Sequence, residues 1–190
     1  MIETLEDLKS SIWTPSIQQK VFRRLVAAFS YPGRIYDIYD ECGGEVLIGV
    51  LASLIDSNVG LADPTQILSV DDWSRLEAVN VAAEQANYII DNGAASVDWQ
   101  PLLGSLECPE RGATVILCVK AIGQGDTFYI TGPGVSGEIA LNVTGLNPSW
   151  LRHRDIWNEN FPMGLDMLLM DSRHIVALPR SARVKMSRDN

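Results

Sequence analysis

Residues 161–184, FPMGLDMLLMDSRHIVALPRSARV, constrain the fold more than any other part of the chain. Two apolar runs, 165–170 and 175–178, flank the polar Asp171-Ser172-Arg173-His174, with Pro162, Gly164 and Pro179 outside them. That spacing predicts strand, tight turn, strand. Neither run alternates apolar with polar, so both faces of these strands must be covered, as in the middle of an α/β sheet. The expected fold class is therefore α/β: a single three-layer-like domain over residues 1–190, built on a mixed central sheet. Asp166 interrupts the first run, where an unpaired carboxylate is costly or takes up a proton. Two readings fit it: a strand-start carboxylate that reaches water or accepts backbone N–H groups, or a carboxylate facing a pocket.

The rest of the chain has to supply the covers. Ile17, Val21, Leu25, Ala28 and Phe29 form one helical stripe behind a capping box at Ser16, and Pro32-Gly33 stops that helix. Residues 45–54 are apolar nearly all round and read as a buried helix. Ser69 caps a third helix, and Asn147-Pro148 opens a fourth that turns Trp150, Leu151 and Trp157 inward. Strands are expected at 34–40, 59–62, 87–91, 114–119 and 139–143. Residues 126–131 are expected to return from a Gln124-Gly125 turn as a hairpin partner. Residues 98–103 read as a short helix or turn, 1–14 as a loose arm anchored by Ile12 and Trp13, and 186–190 as a flexible tail.

Charge narrows the function classes. The 190 residues carry a formal net charge of -9 with a pI near 4.6, which argues against nucleic acid or an anionic membrane as partner. No stretch reaches the roughly 18 apolar residues of a membrane span, and the first residues do not read as a leader, so a cytoplasmic location is expected. Cys42, Cys108 and Cys118 form no CxxC pair and read as reduced thiols. From Arg173 onward there are five cations and one acid, a local +4 that leaves -13 on residues 1–172. A local anion site and a solvated basic tail both fit that excess.

Several motifs fail on inspection. Residues 132–137 match GxGxxG, but residues 138–143 alternate like a strand and Pro133 removes an amide, so a dinucleotide turn is rejected. His153 and His174 lack ligand spacing, and no metal is expected. Neither GxSxG nor GxxxxGK[ST] occurs. Lys120 reads as a strand-end lysine rather than a Schiff-base lysine. What remains is a set of arginines near glycine and proline turns: Arg23, Arg24, Arg34, Arg152, Arg154, Arg180 and Arg183. Their planar forks suit phosphate groups or partner carboxylates.

Phe22-Arg23-Arg24-Leu25 with Ser30-Tyr31-Pro32-Gly33, then Gly112-Ala113-Thr114, Thr131-Gly132-Pro133-Gly134, and Phe161-Pro162-x-Gly164-x-Asp166 ending in Leu178-Pro179-Arg180, form an ordered set. This set resembles the PhnH family, the H subunit of the bacterial carbon-phosphorus lyase system. The blocks span about residues 16–186, while 71–107 matches only in general character. The resemblance implies a subunit acting with G, I and L companions. Together they couple an alkylphosphonate to the ribose of ATP with loss of adenine, giving a ribose 1-phosphonate 5-triphosphate whose carbon-phosphorus bond a J subunit later cleaves. It also implies the fold of pyridoxal-phosphate-dependent transferases without the cofactor, a homodimer when isolated, and partners among the G, I and J subunits.

The candidate anion or interface site is Arg24, Ser30, Pro32, Gly33, Thr131, Gly132, Gly134, Asp166 and Arg180. A nucleotide or phosphonate is the ligand expected if it holds an anion, and no catalytic residue is assigned. Asp166 is expected to orient an arginine, and Arg180→Ala to impair phosphonate use without unfolding the protein. Two other readings stay open: a stand-alone binder or enzyme for a small phosphorylated metabolite near Asp166 and Arg180, and a structural dimer whose glycine loops are only turns.

Overall fold

The structure is a computed structural model that describes residues 12–186. Residues 1–11, most of the expected arm, and 187–190, most of the expected tail, lie outside the described residues. In chain order the elements are α1 (Pro15–Ser30), β1 (Tyr36–Asp37), α2 (Val46–Leu54), β2 (Gly60–Ala62), α3 (Val70–Leu76), β3 (Val79–Asn80), β4 (Tyr88–Asn92), β5 (Thr114–Cys118) and β6 (Ala121–Thr131). They continue with β7 (Ile139–Thr144), α4 (Ser149–Trp157), β8 (Asp166–Met170), β9 (His174–Leu178) and β10 (Arg183–Lys185), and short 3-10 turns lie at Ala83–Gln85 and Pro109–Arg111.

β8 and β9 are the expected antiparallel pair, with Met167 opposite Leu178 and Met170 opposite Ile175. They sit inside a seven-stranded sheet ordered β1-β9-β8-β5-β4-β2-β3. The neighbours from β8 to β3 pair in parallel, whereas β9 pairs antiparallel with both β8 and β1, so the sheet is mixed as expected. Uniformly apolar strands have a simple cause here. Leu168 and Met170 of β8 face a layer of α1, α2 and α3, where Val21, Leu25, Val50 and Leu51 meet them. Met167 and Leu169 face the other way, onto Phe128, Ile130, Leu141 and the α4 tryptophans. Each such side chain contributes about 1.5–3 kcal/mol by leaving water.

That second layer holds a three-stranded antiparallel sheet ordered β10-β6-β7, and it corrects the hairpin expected at 124–131. β6 is one strand of 11 residues, and Gln124 and Gly125 lie in a bulge where the register to β7 shifts between Ile122 and Asp126. Glycine at positive φ serves a bulge as well as a turn, and Gly125 has φ +102. β5 was never open to a hairpin partner, because β4 and β8 already pair with both its edges.

Smaller corrections follow the same logic. α1 begins at Pro15 behind Thr14, which makes no side-chain cap, in place of the box expected at Ser16. The capping box at Ser69 is present, with Asp72 N donating to Ser69 Oγ at 3.2 Å and Ser69 N to Asp72 Oδ2 at 2.9 Å. The 34–40 strand shrinks to the two residues of β1. Residues 98–103 form no helix; Trp99 is buried there and stacks on Trp157 at 5.7 Å. β10 lies in what read as a basic tail, since Arg183 and Lys185 point out while Val184 is buried. Ile12 is fully buried and Trp13 lies under Arg75, which anchors the start of the described chain. Among the described residues no helix is long and apolar enough to cross a membrane.

Candidate functional site

The turn after β9 delivers Arg180 to the start of β8. Its backbone N donates to Asp166 Oδ1 at 2.7 Å, and its Nη2 donates to Asp166 Oδ2 at 2.8 Å. Nη1 donates to Pro109 O at 2.6 Å and, more weakly, to Pro162 O at 3.4 Å. A methyl group on Gly112 would come 2.9 Å from the same Nη1 and overlap Gly164 O, so that residue must be glycine for the loops to close over the guanidinium. Asp166 thus accepts both a backbone N–H and an arginine fork. Arg180 is spent on holding three loops together.

Asp171 performs the matching task at the other end of β8. It accepts N–H groups from Ile122 at 2.8 Å, Arg173 at 2.8 Å and His174 at 2.6 Å. Burial pushes this carboxyl up, but the three backbone donors and the His174 ring outweigh it and hold the group below its ordinary value.

The glycine turns meet one another. Gly33 N donates to Ala177 O at 3.2 Å, and a Cβ on Gly33 would lie 2.7 Å from Ile130 Cδ1. Gly134, with φ +82, leaves room for Ser30 O and Pro32 Cδ that a Cβ would fill. Gly132 sits against Ser181 O and Ala182 Cα, and Thr131 is paired with Arg183. Ser30, Pro32, Gly33, Thr131, Gly132 and Gly134 therefore form one seam, which runs on through Ser181 and Ala182 to Arg180 and Asp166. Arg24 does not join it. On the exposed side of α1 it pairs with Glu41, Nη2 to Oε1 at 2.8 Å.

Arg154 was one arginine among many in the sequence, and the structure gives it a central place. It is 1% exposed on the inner face of α4, where its Nη2 donates to Pro179 O at 2.6 Å and Ala182 O at 2.9 Å. Burial lowers its pKa, while the nearby charges of Asp155 and Asp166 oppose that shift. Its spacing was the available signal: Trp150, Arg154 and Asn158 fall four apart, on one helical face. Arg154, Asn158, Phe161, Arg180, Arg183 and Lys185 line part of a cavity of about 650 Å³ between α4 and β10.

A second cavity, of about 400 Å³, opens at the carboxyl ends of β5 and β8, beside Glu45, Val46, Cys118 and Asp171. Burial pushes the Cys118 thiol up to about 11 and Cys42 up to about 12, with nearby acids adding to both shifts, so neither is primed as a nucleophile. All three cysteines are free thiols. Residues 132–137 connect two antiparallel strands and open no helix. Among the described residues no group of three His, Cys, Asp or Glu is placed to hold a metal ion.

An α/β sheet whose turns are locked to one another by close glycine contacts and buried arginines defines a protein of fixed loops around a modest cavity. The chain belongs to the PhnH family of bacterial phosphonate metabolism proteins, whose sequence profile matches residues 11–185. It is 40% identical over 175 residues to a protein of Stutzerimonas stutzeri named as a C-P lyase subunit, HtxG, covering 92% of this chain and 89% of that one. It is 26% identical over 182 residues to the alpha-D-ribose 1-methylphosphonate 5-triphosphate synthase subunit PhnH of Rhizobium meliloti, covering 88% and 90%.

Proposed function

We propose that the chain is a subunit of the carbon-phosphorus lyase core complex. It acts with G, I and L subunits to form an α-D-ribose 1-alkylphosphonate 5-triphosphate from ATP and an alkylphosphonate. Its own part in that step is to present fixed surfaces to G, I and J partners in the cytoplasm. The isolated chain pairs with a second copy of itself. The relatives' names support the setting.

One observation carries the reading of protein contacts. Phe22, Val26, Tyr31 and Ile35 are each between 41% and 53% exposed, along α1 and the turn that follows it. Clustered apolar exposure of this kind marks association surfaces. The Ser30, Pro32 and Gly33 turn lies within the strip and is clamped by Gly134 and Ala177, so the surface is preformed. On this reading the glycine turns and the Asp166–Arg180 tie hold an interface in shape and do not grip a ligand. The fold reading belongs to the same proposal: the layers are those of pyridoxal-phosphate-dependent transferases without the cofactor. The run of parallel strands from β3 to β8 with an antiparallel margin supports it, as does Lys120, an exposed residue just past β5.

Co-expression of the tagged chain with untagged G, I and J companions, then affinity purification and sizing, tests the proposal. A stable large complex is expected. Recovery of the homodimer alone, with the companions soluble, would overturn it.

A further inference from the structure

We infer that the cavity between α4 and β10 is a binding site for one small oxyanion, a phosphoryl or carboxylate group carried on a compact apolar body. The starting point is Arg154. Among the described residues its guanidinium forms no ion pair, and its only hydrogen bonds, both from Nη2, run to the neutral carbonyls of Pro179 and Ala182. Nε is buried without an acceptor. So is Nδ2 of Asn158, the residue that follows the last turn of α4. Nη1 is likewise unbonded, and Arg154 is one of the residues that line the cavity.

A buried cation held only by neutral acceptors is costly, and unsatisfied buried donors are rare enough to need a cause. The two residues that carry them, Arg154 and Asn158, both line one cavity. Asp155 and Asp166 act on Arg154 from a distance without bonding it, and an oxyanion there supplies the direct ion pair and an acceptor to Nη1.

The remaining lining fixes the class of ligand. Arg183 and Lys185 add cations from β10, while Asp155 and Glu159 set two carboxylates on the α4 side. Arg180 is matched by Asp166 at 2.8 Å and adds little. The balance admits one anionic group and disfavours a polyanion. The volume of about 650 Å³ suits a small molecule. Phe161, 64% exposed at the rim, and Pro133 give the apolar part of the ligand a wall. The inference stands independently of the complex, because every group in it belongs to this chain.

Isothermal titration of the purified chain with inorganic phosphate and, separately, with butyrate, a single carboxylate on a short apolar chain, tests it. Saturable binding of at least one is expected, and the preferred one identifies the head group. Arg183→Gln, an exposed change, should weaken binding about five- to tenfold by loss of one charge-assisted contact. Arg152→Gln, on the outer side of α4, should leave it unaltered. Arg154→Gln should abolish it, with circular dichroism showing whether the fold survives. Failure of both anions to bind the wild-type chain, or equal weakening by Arg152→Gln and Arg183→Gln, would overturn the inference. A failed co-purification with partners would not touch it.

Discussion

At residue 180 one guanidinium ties the start of β8 to the loops at Pro109 and Pro162. An arginine next to glycine and proline turns suggested an anion grip, yet the structure spends its donors on Asp166, Pro109 and Pro162. Removing its side chain leaves Asp166 with only the backbone N–H of residue 180 and unties two carbonyls, and breaking a largely buried pair costs about 3 kcal/mol. Arg180→Ala should therefore lower the urea midpoint clearly. A variant as stable as the wild type would show that the three loops hold without it.

Asp171 makes a prediction whose sign depends on pH. Its folded carboxyl titrates below the unfolded value near 3.9, so its contribution is complete above about pH 4 and fades as pH falls through the lower folded value. Asp171→Asn should lose about 2 kcal/mol at pH 7 and much less at pH 3. Parallel denaturation curves at the two pH values decide it; an equal loss at both would assign the effect to shape and not to charge. Arg154 was the residue hardest to see in the sequence. Residue-type reasoning sends arginine to the surface, and only its place four residues beyond Trp150 argued otherwise.

At the scale of elements, legibility followed burial. β5, β8, β9 and α2 were plain because a strand or helix covered on both sides leaves an unbroken apolar run. β6 and β10 were misread because each turns only one face to the core. Gly123 and Gly125 in β6 imitate a turn, and Arg183 and Lys185 disguise the single buried Val184 as tail. The glycine seam was legible as glycine-rich turns but not as one object, since nothing local says that residues 30–33 meet residue 134. That meeting can be tested. Gly134→Ala combines a positive φ with a Cβ that overlaps Ser30 O, and strain of this kind costs about 1–3 kcal/mol. Thermal unfolding of the variant should show that loss. An unchanged midpoint would mean that the two turns slide apart freely and fix no surface.

The whole molecule carries two kinds of surface that obey different physics. The α1 strip is apolar, and Arg24 on the same helix is already paired with Glu41. The α4–β10 cavity is a balance of charges inside a chain whose net charge is -9. Salt separates them. Raising NaCl from 0.1 to 1 M shortens the screening length from about 10 to about 3 Å, which weakens oxyanion binding while leaving apolar association intact. Co-purification with the G, I and J companions should therefore survive 1 M NaCl. It should be lost when Phe22 and Val26 are both changed to glutamate, with stability altered by no more than about 1 kcal/mol because both side chains are half exposed. A complex that dissolves in salt yet tolerates the double variant would move the interface from α1 to the charged surfaces, and the rim of the cavity would then be the first place to look.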